Sequence, residues 1–199
     1  MPFPHLARRR VLRGAAGLAA ALALAACGQQ PPEFRGSDIT GTQLGRGLSL
    51  VDHNGAPRTL ADYAGKVVVV FFGFAQCPDV CPTSLAELAQ VMKTLGEDAG
   101  RVQVLMVTVD PERDTPEVLR QYVTAFDPRF VGLTGTPEQI KQAAASFKVY
   151  YAKVQRDGGD YTMDHTAAFY LLDGKGEARV LASNNAGAEA LAHDIEQLL

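Results

Sequence analysis

The chain has 199 residues, enough for one domain of ordinary size, and 47% of them are hydrophobic, which is typical of a protein with a buried core. Residues 1–26 contain four of the 19 Lys and Arg residues and no acidic residue, so the remainder carries a net charge of −7. An acidic domain without a basic run is a poor match for nucleic acid, and we expect no nucleic-acid partner. No feature indicates a small-molecule substrate.

The N-terminus has the features of an export signal. Arg8–Arg10 and Arg13 precede an apolar run, Gly14–Ala26, that is too short to span a bilayer comfortably. Leu24-Ala25-Ala26-Cys27 resembles the bacterial lipobox, in which the cysteine carries a diacylglycerol; the alternative is an ordinary secretory signal with a chance cysteine. We predict a lipoprotein signal peptide at 1–26 and lipidation at Cys27. Three consecutive arginines leave twin-arginine and general secretory export both open.

Residues 27–45 are rich in Gly, Pro and polar residues, which is typical of a flexible linker. We predict a lipid-anchored flexible tether there, followed by one domain at 46–199, because no second linker and no repeat follows. Membrane attachment is expected to come from the lipid, since no later segment is apolar for long enough to span.

Short apolar strands alternate with helices in residues 46–199. The first element is a hairpin of 48–51 and 58–60 around Asn54-Gly55. Buried strands are predicted at 66–72, 102–109 and 130–133, helices from Cys81 to about 95, at 115–126 and from 136, a second hairpin at 167–172 and 178–181, and a last helix at 187–199. This order predicts an α/β fold of the thioredoxin-like type, a mixed sheet flanked by helices on both faces.

Cys77 and Cys81 directly follow the strand at 66–72. With Cys27 assigned to the lipid they are the remaining thiols, and an oxidising compartment seldom leaves such a pair without a purpose. The layout places Cys77 at the carboxyl end of a central strand and Cys81 in the first turn of a helix, whose N-terminus is expected to lower the thiol pKa. The spacing permits a disulfide, a redox pair or two ligands to one soft metal ion.

The chain has four histidines that could supply a third ligand. His5 belongs to the signal, whereas His53 in a predicted turn and His193 on a polar face of the last helix are interpreted as structural or solvated residues. His165 differs, because it precedes a strand whose start faces the cysteine loop in this layout, although spacing alone does not decide its role. No proline follows Pro137, so the cis-proline that thioredoxin-type disulfide enzymes place before this strand is missing, which favours a metal site over general thiol exchange.

Four motifs in order resemble the Sco/SenC family, over most of residues 46–199. They are Phe72-Gly73-Phe74 before Cys77-Pro78-Asp79-Val80-Cys81-Pro82, then Val109-Asp110-Pro111-Glu112-Arg113-Asp114-Thr115-Pro116, then Lys148-Val149-Tyr150-Tyr151, and Asp164-His165-Thr166 leading into Tyr170-Leu171. Ala75-Gln76 replaces the Thr-His often found before the first cysteine.

The resemblance implies a thioredoxin-like domain that binds one copper ion, as Cu(I) or Cu(II), through Cys77, Cys81 and His165, with a Cys77–Cys81 disulfide in the oxidised apo form. It implies a metallochaperone that assists assembly of the dinuclear copper centre of cytochrome c oxidase subunit II. Such proteins are tethered to the outer side of the inner membrane, here facing the periplasm. Some members act as copper donors and others as reductases of the target's cysteines, so a thiol reductase activity of the cysteine pair stays open.

Other interpretations compete with this one. The main alternative is a periplasmic thiol-disulfide oxidoreductase with no obligatory copper role. A thiol peroxidase would share the fold, but its usual Gln and Trp partners are not evident and the chain has no Trp. A purely structural disulfide would close too small a loop to stabilise much. Asp79 is interpreted either as a helix cap or as a functional residue that tunes the thiolates or contacts the partner. Residues 110–116 are interpreted as a turn and cap, and Met163 as packing rather than as a weak ligand.

Overall fold

The structure is a computed structural model that describes residues 32–199. The predicted signal peptide, His5 and the predicted lipidation site Cys27 lie outside the described residues. Within residues 32–199 no helix combines the length and the apolar character that crossing a bilayer requires.

Ten strands form two separate sheets within residues 32–199. In chain order they are β1 (Ser37–Asp38), β2 (Ser49–Asp52), β3 (Pro57–Thr59), β4 (Val67–Gly73), β5 (Val102–Thr108), β6 (Val131–Thr134), β7 (Tyr151–Gln155), β8 (Tyr161–His165), β9 (Ala168–Leu172) and β10 (Ala178–Ser183). Eight of them make one sheet in the order β1-β10-β9-β4-β5-β6-β2-β3, and β7 and β8 pair only with each other. The large sheet is mixed, because β4, β5 and β6 are parallel whereas β9 joins β4 antiparallel.

The described part of the chain also contains four α-helices: α1 (Val80–Thr94), α2 (Pro116–Thr124) and α3 (Pro137–Phe147) connect strands, and α4 (Ala188–Glu196) follows the last strand. Short 3-10 helices lie at Leu60–Tyr63 and Gly96–Arg101. Thr115 and Thr136 cap α2 and α3, each accepting a hydrogen bond from a backbone N–H in the first turn, and each is followed by proline at the first helical position. The predicted α/β architecture of a mixed sheet with helices is therefore confirmed.

The core is centred on β4, and the cysteine loop begins where this strand ends. All seven β4 residues are buried, because the strand has β5 on one side and β9 on the other. Such a strand appears in the sequence as an unbroken apolar run, which is why it was predictable. The chain leaves β4 at Gly73 and reaches Cys77 four residues later.

The compact part of the chain begins at Glu33, earlier than the boundary at residue 46 that the composition predicted. β1 pairs with β10, and the buried carboxylate of Asp194 accepts hydrogen bonds from the backbone N–H groups of Arg35 at 2.7 Å and Gly36 at 2.8 Å. A segment rich in Gly, Pro and polar residues is thus held by backbone pairing, which composition does not reveal. Residues 27–31 of the predicted tether lie outside the described residues.

The hairpin of β7 and β8 was not predicted from the sequence. Residues 156–160 form its turn, and Tyr151 pairs with His165 at its other end. Its strands are mostly half-buried or exposed, so they lack the apolar run that identified β4. The hairpin carries the predicted histidine.

Candidate metal centre

The two cysteines are presented by a tight loop between β4 and α1. The Cys77 N–H donates to the carbonyl oxygen of Phe74 at 3.2 Å, which closes a turn directly after the strand. Helix α1 begins at Val80, so Cys81 lies in its first turn, as predicted. The Cys81 N–H points at the Cys77 sulfur, 3.3 Å away. Both thiols are free in the structure.

Burial sets the chemistry of Cys81. Its side chain is fully buried whereas Cys77 is half-buried. Burial raises the pKa of the Cys81 thiol well above its usual value, against a smaller lowering effect of a hydrogen bond from the Phe74 backbone. The helix N-terminus was expected to lower the thiol pKa, and for Cys81 that expectation is wrong because desolvation outweighs it. A metal ion would have to displace this proton on binding.

Gly73 makes room for the Cys81 sulfur. A Cβ atom at position 73 would lie 2.9 Å from that sulfur and 2.8 Å from the ring of Phe71. Only a residue without a side chain allows the thiol to lie this close to the end of β4. The strand and the helix are therefore packed directly against each other at the site.

The structure brings His165 to the cysteines from the other sheet. Its Nε2 lies 3.7 Å from the Cys81 sulfur, and its Nδ1 lies 3.2 Å from the carbonyl oxygen of Thr166. Burial lowers the pKa of His165, so the ring is neutral at neutral pH. Since a carbonyl only accepts, Nδ1 carries the proton, and Nε2 presents a lone pair towards the sulfur. The ring packs edge-on against Phe71 and Phe74.

Cys77, Cys81 and His165 form a compact set of metal-ligand atoms. One sulfur or nitrogen atom of each lies within 4.8 Å of those of the other two. The set contains two thiols, one imidazole and no carboxylate, so its chemistry fits a soft ion such as copper or zinc and does not fit Mg²⁺ or Ca²⁺. Sequence reasoning found all three residues, although spacing alone did not bring His165 to the cysteines.

Asp114 supports the cysteine loop from below and was not recognised as part of the site. Its buried carboxylate accepts hydrogen bonds from the Ala75 N–H at 3.1 Å and from the Thr108 hydroxyl at 2.6 Å. Burial raises its pKa, so the carboxyl protonates more readily than an exposed one. Its second oxygen and the hydroxyl of Tyr122 are buried without a partner among the described residues. The turn predicted for 110–116 is present, with Thr115 as the helix cap.

The remaining candidates have structural roles. His53 accepts a hydrogen bond from the Gly132 N–H at 3.1 Å, and His193 lies 3.2 Å from the Asp194 carboxylate, so both fit the structural interpretation. Met163 is buried in the core cluster, as the packing interpretation expects. Asp79 occupies the N-cap position of α1 without a side-chain cap hydrogen bond, so it is not the conventional cap that was one of its two interpretations.

The site opens to solvent through a cleft of about 290 Å³. Its walls include Phe74, Pro78 and Met163, with the Cys77 and His165 side chains between them. Asp79, Asp164 and Arg156 are exposed around the rim. A protein partner can therefore approach Cys77 and His165 from solvent, whereas Cys81 is reached only through them.

The fold and the site together define a class of protein: an α/β domain of thioredoxin-like type with a dithiol and an imidazole gathered beside its central strand. The family model described as SCO1/SenC matches residues 37–199, which is most of the chain. The chain therefore belongs to the SCO1/SenC family.

Relatives and solved structures agree with this assignment. The mitochondrial SCO2 homolog of Bos taurus is 42% identical over 158 residues, which cover 77% of this chain but 59% of that longer protein. The structure of Bradyrhizobium japonicum ScoI with copper bound is 42% identical with a TM-score of 0.71, covering 76% of this chain and 97% of that one. Apo Sco1 from Thermus thermophilus is 38% identical with a TM-score of 0.76, covering 86% and 100%. The thioredoxin-like fold is therefore confirmed.

Proposed function

We propose that this protein binds one copper ion through Cys77, Cys81 and His165 and assists assembly of the dinuclear copper centre of cytochrome c oxidase subunit II. The observation that carries the proposal is the convergence of three soft ligand atoms within 4.8 Å of one another. Deprotonated thiols prefer Cu(I), and a neutral imidazole extends the set towards Cu(II). Copper-bound structures of two similar Sco proteins support the choice of metal.

The cargo would be held at an unusual depth. Cys81 is fully buried and Cys77 half-buried, so bulk water has little access to the inner thiol. A target whose two cysteines enter the cleft would meet Cys77 and His165 first. Exchange of ligands one at a time, from these two outer residues inwards, would pass the ion to the target without releasing it.

Copper titration of the reduced protein tests this proposal. One ion per chain is expected, and His165→Ala should weaken Cu(II) binding and change the Cu(II) spectrum. His53→Ala and His193→Ala are matched controls, because both side chains have protein partners away from the site. Unchanged Cu(II) affinity and spectrum in His165→Ala would refute the three-ligand site.

A thiol-disulfide oxidoreductase is the second candidate, and the unequal burial of the two cysteines favours it. The more exposed Cys77 would attack a target disulfide as thiolate and release one target thiol. Cys81 would then attack Cys77 and release the second, so that the target gains two electrons and the Cys77–Cys81 disulfide forms. A dithiol reductant would have to restore the pair.

A trapping experiment separates the two functions. With Cys81→Ser the mixed disulfide cannot resolve, so a covalent complex with the oxidised soluble domain of subunit II should accumulate. Cys77→Ser should trap nothing. Absence of the complex, combined with copper transfer from loaded parent protein to the reduced domain, would leave copper delivery as the function.

We further propose that residues 1–26 are a lipoprotein signal peptide, that Cys27 carries the lipid, and that the domain faces the periplasm from the inner membrane. The lipobox-like Leu24-Ala25-Ala26-Cys27 supports this location. Labelling with a radioactive fatty acid should mark the parent and not Cys27→Ser, and protease should reach the domain in intact spheroplasts. An unlabelled parent protein would exclude the anchor.

A further inference from the structure

The two sides of the site differ in how the fold holds them. Cys77 and Cys81 follow a central strand that has a neighbour on each side, whereas His165 ends a strand that pairs with β7 alone among the residues that the structure describes. A two-stranded hairpin is marginally stable by itself. The place of His165 therefore depends on what fixes this hairpin to the rest of the domain.

One face of β8 makes the contacts that fix the hairpin to the rest of the domain. Side chains alternate along a strand, so Tyr161, Met163 and His165 share a face. His165 meets the cysteine site, Met163 is buried in the core, and Tyr161 lies against the loop that follows β5. His165 and Tyr161 are about 13 Å apart along the strand and belong to the same face of it.

We name the cluster around Tyr161 the hairpin clamp; its members are Asp110, Glu112, Arg113, Lys153 and Tyr161. The Arg113 guanidinium lies 3.8 Å from the centre of the Tyr161 ring and donates to the Tyr161 carbonyl oxygen at 3.0 Å. The Tyr161 hydroxyl donates to Asp110 at 2.9 Å, and Arg113 is paired with the same carboxylate. Each of the three residues thus contacts both others.

Burial makes this part of the cluster strong. The Asp110 side chain is 2% exposed and that of Arg113 is 17% exposed, so water does not compete freely for their charges. Cation–π contacts and hydrogen bonds to charged groups contribute most where water is excluded. The Lys153 ammonium lies 4.1 Å from the Tyr161 ring centre and pairs with Glu112 at 2.8 Å, but that pair is more exposed and adds less.

We propose that the hairpin clamp positions His165 and so holds the third ligand at the dithiol. When the clamp is weakened, His165 moves away from the site while the two cysteines stay in place. This inference rests on the proposed copper site. Opening the clamp would lower the ligand set from three to two. Two thiolates suffice for Cu(I), whereas Cu(II) depends on the imidazole, so the clamp would control Cu(II) retention selectively.

The test compares Tyr161→Ser with two reference variants in the full-length protein, purified in detergent. Tyr161→Ser removes both the ring and the hydroxyl and leaves Arg113 paired with Asp110. Tyr161→Phe keeps the ring over Arg113 and loses only the hydroxyl, so it should recover part of the effect. Tyr150→Ala is the matched control, because Tyr150 immediately precedes β7 and is 64% exposed.

Affinities for Cu(I) and Cu(II) are measured by competition with chelators, together with the Cu(II) electron paramagnetic resonance spectrum. We expect Tyr161→Ser to weaken Cu(II) binding about tenfold and to leave the Cu(I) affinity within about threefold of the parent's. The Cu(II) affinity of Tyr161→Phe should lie between those of Tyr161→Ser and the parent. Hydrogen exchange of the copper-free protein should rise about tenfold in 151–165 and stay unchanged in β4.

Three outcomes contradict the clamp. They are parent-like Cu(II) affinity in Tyr161→Ser, equal losses for both oxidation states, and faster exchange throughout the domain. His165→Ala in the same assay separates this inference from the proposed function. If His165→Ala loses Cu(II) and Tyr161→Ser does not, only the clamp is wrong; if His165→Ala binds Cu(II) like the parent, the three-ligand site is wrong.

Discussion

The cysteine loop and the β7–β8 hairpin contribute to one site in opposite ways. The loop is built on β4, whose residues are all buried, and Gly73 leaves no space between strand and sulfur. The hairpin has a single strand pairing and polar, half-exposed strands. The dithiol is therefore fixed by the core of the domain, whereas the imidazole is held by a few side-chain contacts.

Because of this difference, substitutions that lower the stability of the domain should be distinct from substitutions that move a ligand. A disruptive substitution in β4 should destabilise the whole domain, because most of the core packs around that strand. Damage to the hairpin should change the site while the domain stays folded. Substitutions on the two sides test this separation.

The largest effect is expected for Phe71→Ala. Phe71 is fully buried in β4 and packs against Phe169 and the His165 ring. Its truncation should lower the free energy of unfolding by about 3–5 kcal/mol, because a buried aromatic ring is replaced by a cavity. Chemical denaturation measures the change. Val118→Ala, at an exposed apolar position, should change it by less than about 0.5 kcal/mol. If Phe71→Ala lowered the free energy of unfolding no more than Val118→Ala does, β4 would not be the centre of the core.

The second-largest effect is expected for Asp114→Ala. The substitution leaves the Ala75 N–H and the Thr108 hydroxyl buried without their acceptor, which costs about 1–3 kcal/mol of unfolding free energy. The cysteine loop should also loosen, which faster alkylation of Cys77 would report. Asp79→Ala, at an exposed position beside the same loop, is the control and should leave stability near that of the parent. Parent-like stability of Asp114→Ala would show that the carboxylate does not hold the loop.

A smaller effect is expected from pH. Burial lowers the pKa of His165 below its usual 6.5, so the unfolded chain binds more protons than the folded one between the two pKa values. The free energy of unfolding of the copper-free protein should therefore fall as pH falls below 6.5. His165→Gln should reduce this slope, and a double variant with His53→Gln should reduce it further, because burial lowers the pKa of His53 as well. A slope in His165→Gln as steep as in the parent would contradict this.

The smallest effect is expected for Glu112→Gln. Its pair with Lys153 is exposed and screened by water, so no resolvable change in the unfolding midpoint is expected. A modest weakening of Cu(II) binding, well below that of Tyr161→Ser, would place the pair at the edge of the clamp. If Glu112→Gln weakened Cu(II) binding more than Tyr161→Ser does, Lys153 and not Tyr161 would be the main contact of the clamp.

The sequence predicted the two sides of the site unequally, for physical reasons. Val67–Gly73 is an apolar run that only a buried strand explains, and the Thr-Pro pairs at 115 and 136 mark helix starts. The hairpin was missed because its two short strands are mostly half-buried or exposed and show neither an apolar run nor a regular alternation of buried and exposed residues. The contact of Arg113 with Tyr161 joins distant parts of the chain and leaves no periodic signal.

Charge reasoning failed where burial mattered most. A helix N-terminus favours a thiolate, and the sequence places Cys81 there, but it does not reveal that the sulfur is enclosed by β4 and the Phe71 ring. Desolvation depends on the three-dimensional packing of residues from several elements. The direction of a pKa shift at a buried residue therefore required the structure.

The hydrogen bonds from the Arg35 and Gly36 N–H groups to Asp194 limit how much of the predicted tether lies outside the domain. With a lipid on Cys27, as proposed, only five residues would separate the anchor from Glu33, and the six residue-to-residue steps would span about 20 Å when fully extended. A tether this short would confine the domain to a thin layer above the bilayer. It would raise the effective concentration of the site towards partners held in the same membrane and would keep more distant partners out of reach.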